Sequence, residues 1–83
     1  MNIVFVEGKI ISNIEFNFII NSPDISIATF KVELLNKSIV QIKAYNELAD
    51  YCYSKLNNGD IIFIEGYLNS NMEIIIKTLK KTE

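Results

Sequence analysis

The stretch VQIKAYNELADYCYSKLNNGDIIFIEGYL, Val40 to Leu68, contains the change of period that decides how the chain is organised. Val40, Ile42 and Ala44 alternate with Gln41, Lys43 and Tyr45, the two-residue period of a half-buried strand. From Asn46 the apolar positions take helical spacing: Leu48, Ala49, Cys52 and Leu56 fall on one stripe, with Tyr53 at its margin and Tyr51 pointing away. Asn46 is a favourable N-cap and Glu47 suits the first turn. Asn57-Asn58-Gly59 supplies residues that tolerate the left-handed conformation ending a helix. The reading is strand, helix of about three turns, then a second strand from Ile61. So short a helix is unstable alone and must pack on a sheet.

Working outward, Asn2 to Ile11 is apolar on both alternations, Ile3 and Phe5 on one face and Val4 and Val6 on the other. Such a strand is covered on both sides, or covered on one and paired with another subunit. Gly8 inside it marks a bulge or bend of the kind a small barrel needs. After Ser12-Asn13, the even positions Ile14, Phe16, Phe18 and Ile20 predict a half-buried segment, which makes the first strand long, bent and split. Asn21-Ser22-Pro23-Asp24 reads as a turn. From Ile25 the chain is extended again, with a change of phase near Ala28 that predicts a second bulge.

Two hairpin registers follow from the requirement that apolar residues share a face. A three-residue loop Asn36-Lys37-Ser38 pairs Leu34 with Val40, Val32 with Ile42 and Phe30 with Ala44 inside. It then sets Glu33 opposite Gln41, Lys31 opposite Lys43 and Thr29 opposite Tyr45 outside. A loop at Asn69-Ser70-Asn71 pairs Leu68 with Met72, Gly66 with Ile74 and Ile64 with Ile76, placing Tyr67 opposite Glu73, Glu65 opposite Ile75 and Phe63 opposite Lys77. Lys80 to Glu83 is a short polar end. An all-β chain of five strands with one helix between the third and fourth has the element order of the OB-fold barrel. A sandwich needs more strands, and a parallel α/β fold more helices.

At 83 residues this is one domain, 1–83, with a single modest core. No apolar run is long enough to span a membrane and no cationic segment precedes an apolar one, so no membrane association is expected and a cytoplasmic location is the default. The net charge of −2 argues mildly against a generic nucleic-acid binder. All eight cations are lysine; phosphate would be met by point charges, with no guanidinium fork. Histidine is absent, and with it the usual general base and commonest metal ligand. The lone Cys52, on the buried stripe, reads as a core residue. No catalytic constellation emerges: Glu65 and Glu73 lie on neighbouring strands without a histidine, an arginine or a phosphate-binding glycine loop beside them. The expectation is a non-enzymatic protein with no cofactor and no metal.

NIVFVEGKI, SIATFKVEL, VQIKAYNELAD and NNGDIIFIEGYL, in that order over most of the chain, resemble the bacterial single-stranded DNA-binding proteins. The most specific pieces are Tyr45-Asn46-Glu47-Leu48-Ala49 and Gly59-Asp60 leading to Glu65-Gly66-Tyr67-Leu68. The resemblance implies an OB fold, a homo-oligomer (dimer or tetramer) formed through first-strand pairing, and sequence-independent binding of single strands in replication, recombination or repair. It leaves RNA open beside DNA. Of the base-stacking aromatics of that family only the one at Tyr45 carries over, and the early third-strand position is Ile39. The long hairpins and the acidic-tipped C-terminal tail of the family have no counterpart in this sequence. The resemblance is therefore to a compact member, such as a phage, plasmid or transposon-borne version, or an accessory similar to the primosomal N protein.

The sharpest candidate site is the outward face carrying Thr29, Lys31, Gln41, Lys43 and Tyr45. Facing lysines repel unless an anion or a neighbouring carboxylate relieves them. A phosphate backbone would do so, and the tyrosine offers a surface for a base. Tyr67, Phe63 and Lys77 could extend the track or belong to an oligomer interface, and Lys9 is a further phosphate candidate. The competing reading is a protein-interaction or assembly module that keeps the barrel and has little nucleic-acid affinity.

Overall fold

A computed structural model describes residues 2–82. The strands are β1 (Val4–Ile10), β2 (Glu15–Ile19), β3 (Ser22–Leu34), β4 (Ile39–Tyr45), β5 (Ile61–Leu68) and β6 (Ile74–Lys81), with α1 (Glu47–Lys55) between β4 and β5. Hydrogen bonding runs β1-β5-β6-β4-β3, and β3 pairs back onto β1, so these five strands close a barrel; β2 lies outside the ring, paired only with β3. Among the described residues all pairings are antiparallel except β4 with β6. This is the OB-fold architecture expected from the element order.

Closure depends on Gly8, where β1 touches both neighbours at once, opposite Ile62 on β5 and Leu34 on β3. A Cβ there would collide with Val32 Cγ1 and stand 2.6 Å from the Glu33 carbonyl oxygen. The core is one cluster in which Ile10, Phe30, Val32, Ile42 and Ile62 are fully buried. One inner row runs straight across the sheet: Leu68, Ile74, Ile42 and Phe30 are successive ladder partners. The helix packs on β3 and β4 and adds Ala49 and Cys52 to the same core, followed by Leu56 just past its end, as the stripe predicts. Leu48 is only partly buried. Tyr53 is exposed, its ring tilted against Phe16 with centroids 5.0 Å apart.

The helix termini differ from expectation. Asn46 precedes α1 with φ 54° and ψ −119°, and its side chain makes no capping bond. Its Oδ1 instead accepts the Ser26 N–H at 3.3 Å, while its own N–H donates to the Ser26 carbonyl at 2.9 Å. Asparagine thus serves here by adopting a positive φ and tying the strand–helix corner to β3. The helix ends at Lys55, nine residues long and shorter than three full turns, because Leu56 is extended. The left-handed residue is Gly59, at φ 102°, in the following turn.

Both hairpins have the predicted odd loop length but turn one residue earlier or later than the sequence reading placed them. In the first, Leu34 N–H donates to the Ser38 carbonyl at 2.8 Å, so the loop is Leu35-Asn36-Lys37, with Lys37 left-handed at φ 73°. In the second, Asn69 N–H donates to the Glu73 carbonyl at 2.9 Å, so the loop is Ser70-Asn71-Met72, with Met72 at φ 63°. Each is a tight turn closed by one left-handed residue. Moving a loop by one residue preserves inside and outside but shifts every cross-strand partner by two. Phe30 therefore faces Ile42, Val32 faces Val40, and Gly66 faces Ile76.

Two irregularities are also relocated. No bulge occurs at Ala28: Ser26, Ala28, Phe30 and Val32 all point inward in one phase, and the β2–β3 register breaks between Phe18 and Ile19, near Pro23. The turn there is narrowed to Ile20 and Asn21, since Ser22–Asp24 belong to β3. Phe18 and Ile20, expected to be half-buried, are exposed because this ribbon extends past the barrel. A second bulge lies in the β5–β6 ladder, where Gly66 faces Ile76 but Glu65 faces Thr78, leaving Lys77 without a partner across the ladder. Lys80 and Lys81 are part of β6 and not a free end, with Lys81 Nζ 3.3 Å from Asp60 Oδ2. Met1 and Glu83 lie outside the described residues.

Candidate nucleic-acid interface

The shifted registers rearrange the outer face. Lys31 stands opposite Gln41, Lys43 opposite Thr29, Glu33 opposite Ile39, and Tyr45 opposite Ile27. The two lysines are diagonal neighbours, so the repulsion argued from a direct Lys31–Lys43 pairing does not apply. The closing β4–β6 pairing instead sets Lys43 beside Ile75, and β5 follows with Tyr67 opposite Ile75. One outer row therefore crosses the sheet in register: Tyr67, Ile75, Lys43, Thr29 and Glu15. With strands about 4.8 Å apart, it joins an aromatic ring to a lysine across two strand spacings.

Around this row the expected residues fall into three places. Thr29, Lys31 and Gln41 line an open cleft of about 410 Å³ with Ser12, Asn13, Glu15 and Phe30. Tyr45 stands to one side of the row, 37% exposed, next to half-buried Ile27. Tyr67 and Lys77 share a cleft of about 390 Å³ with Asn2, Ile3 and Gly66. Lys77 projects there because it is the bulge residue. Asn2 fastens this corner, its Oδ1 accepting the Leu68 N–H at 2.8 Å and its Nδ2 donating to the Leu68 carbonyl at 3.1 Å.

Phe63 and Lys9 lie elsewhere. Phe63 faces Lys80, not Lys77, and shares a more apolar cleft of about 450 Å³ with Phe5, Glu7, Glu65 and Thr78. Lys9 faces Glu33 and Ile61 in its two ladders, beside the Lys37 turn. Neither joins the row through Lys43.

The electrostatics turn on a residue that sequence reasoning gave no binding role. Glu73 Oε1 lies 3.1 Å from Lys43 Nζ and accepts Asn69 Nδ2–H at 2.9 Å. The Asn69 hydrogen bond, and then Lys43, hold the Glu73 carboxyl below the usual carboxylate range. The Asn69/Glu73 spacing around a turn was a local signal; the contact with Lys43 was not, because it depends on the parallel closure of β4 on β6. Glu65, the other carboxylate considered, accepts the Thr78 hydroxyl at 3.1 Å. Burial pushes the Cys52 thiol up to about 12, in keeping with a core role.

No family model and no curated protein sequence matches the chain. Solved structures do. The SSB domain of a Synechococcus sp. protein superposes with a TM-score of 0.85 at 14% identity, over 95% of this chain and 93% of that one. The single-stranded DNA-binding protein of Thermus aquaticus gives 0.87 at 16% identity, over all of this chain but only 41% of its own length. The mitochondrial single-stranded DNA-binding protein of S. cerevisiae gives 0.85 at 11% identity, over 98% of this chain and 93% of that one. The chain has the fold of single-stranded DNA-binding domains. At these identities the likeness is one of fold, and it covers the whole barrel together with the β2–β3 ribbon.

Proposed function

We propose that the protein binds single-stranded DNA without sequence preference and without catalysis, using the outer face of β3 and β4 and its continuation onto β5. The observation that carries this reading is the register row that puts Tyr67, Lys43 and Thr29 in line, flanked by Lys31 with Gln41 and by Tyr45. Aromatic rings take bases of any identity on their faces, and lysines follow the phosphates as point charges. The likeness in fold to single-stranded DNA-binding domains supports the same reading. With few cations on the face, affinity is modest and falls with salt.

Assembly through β1 accompanies it. Beyond Gly8 toward the N-terminus, β1 pairs with β5 on one edge only, leaving the other edge of Val4–Glu7 open. Ile3 and Phe5 stand exposed on it, Phe5 at 75%. An apolar open edge is covered by pairing with a second copy in the ordinary two-fold arrangement.

The test is fluorescence anisotropy of a labelled oligo-dT titrated at low and moderate salt, with an oligo-rU and a duplex of the same length alongside. Modest binding to the DNA single strand that weakens as salt rises is the expected result. Absence of binding at low salt would remove this reading. It would favour an OB-fold interaction module, the alternative to which the net charge of −2 and the neutralised Lys43 point.

A further inference from the structure

Glu73 shares the outer face with the residues assigned to the strand, and its carboxylate is held on two sides. Asn69 Nδ2 donates to Oε1, and the same Asn69 anchors the turn that carries Glu73, its Oδ1 accepting the N–H groups of Asn71 and Glu73 at 2.9 Å each. The parallel pairing of Ile42 with Ile74 and Lys43 with Ile75 keeps the lysine and the glutamate in reach of each other. Lys43 and Glu73 are both mostly covered, their side chains 25% and 17% exposed. Lys43 therefore already holds the anionic oxygen that a phosphodiester would present. A phosphate arriving at Lys43 must displace the carboxylate, and the displaced charge stays on the face as a repulsive neighbour. By contrast, Lys31 makes no ion pair among the described residues.

We propose that Glu73 sets the affinity of the interface as a built-in competitor for phosphate at Lys43, positioned by Asn69. This rests on the reading that the face binds single strands. Lys43 then attracts phosphate less strongly in the native protein than its charge alone would, and the salt dependence reflects fewer phosphate contacts than the lysines on the face would give.

Anisotropy titrations of labelled oligo-dT over a salt series, with the wild type, Glu73→Gln, Lys43→Gln and the double variant, test this. Glu73→Gln is expected to bind about three- to tenfold more tightly at low salt, the size of a released surface ion pair plus one phosphate contact. Its salt slope should steepen by about 0.7, the value of one phosphate on a single strand. Lys43→Gln, which leaves the Glu73 charge unpaired on the face, should bind more weakly than the wild type, and the double variant should lose most of the gain. Glu73→Ala, which removes the carboxylate altogether, should give a similar gain and serves if the glutamine variant unfolds. If the wild type binds and neither Glu73 variant binds more tightly, the competitor role is overturned while the binding face stands. A gain that survives undiminished in the double variant also overturns it, since the effect is then one of overall charge. No binding by any of the proteins removes both.

Discussion

Tyr45 stands directly across the β3–β4 ladder from Ile27, with Asn17 next in line on β2. The pairing gives the tyrosine ring an apolar neighbour at the end of the outer face, just before the Asn46 corner. A ring held this way loses little freedom when a base stacks on it. Tyr45→Ala is expected to weaken oligo-dT binding by about 1–3 kcal/mol, the usual value of one base–aromatic stack. Tyr45→Phe should bind nearly as well as the wild type, because stacking uses the face of the ring and not the hydroxyl. Equal binding by all three proteins would take the tyrosine out of the interface.

Gly66 is the point where the β5–β6 ladder changes register, and a Cβ there would sit on the carbonyl oxygen of Ile75. Because the obstacle is backbone, neither partner can turn aside. Gly66→Ala should lower stability by about 1–3 kcal/mol, the range for forced overpacking. It should also disturb the Tyr67–Lys77 corner, which the bulge aims outward. Chemical denaturation followed by far-ultraviolet circular dichroism measures the first effect. An unchanged midpoint would mean that the ladder can slip to absorb the methyl group.

The barrel was legible in the sequence because its evidence is local. Ile42 and Ala44 alternate before Asn46, Ala49 and Cys52 keep helical spacing after it, and Gly8 interrupts the first strand where β1 has to serve two neighbours. Face assignments survived for the same reason, since parity depends only on whether a loop is odd. Partner assignments did not, because Lys37 and Met72 took left-handed conformations that no glycine or asparagine advertised. Ile25 and Ile27, apolar and yet outward, were read as a phase change when they are the partly buried outer side of an extended strand. The candidate site was legible in part. Thr29, Lys31, Gln41, Lys43 and Tyr45 do share one outer face, and Tyr67 joins them across β6. The Lys43–Glu73 contact was out of reach, since it is made only when the last strand closes on β4.

Cys52 is fully buried in the helix–sheet contact, with its thiol pushed up to about 12 by that burial. Near pH 8 the thiol is neutral and shielded, so it is a poor nucleophile. Ellman's reagent should leave the native protein essentially unmodified over minutes and react at once with one thiol in denaturant. The native rate then reports how often α1 lifts from β3 and β4. Immediate reaction without denaturant would contradict the packing of the helix.

The Glu73 carboxyl offers a pH signature with a definite sign. It is held below its ordinary value by the Asn69 hydrogen bond first, and then by the hydrogen bond and charge of Lys43. A carboxyl whose folded value is depressed stabilises the fold fully above its unfolded value. That contribution is lost as pH falls through the folded one. The Asn69–Glu73–Lys43 arrangement should therefore be intact at neutral pH and come apart only on the acid side of ordinary glutamate titration. Carbon-13 NMR of the side-chain carboxyl groups follows it directly. In the wild type, Glu73 should titrate below a glutamate in an unstructured peptide. Lys43→Met should move its midpoint part of the way back, and Asn69→Ala should move it at least as far. A wild-type midpoint at or above the peptide value would mean that the carboxylate is not held against Lys43 in solution, leaving the lysine open to phosphate from the start.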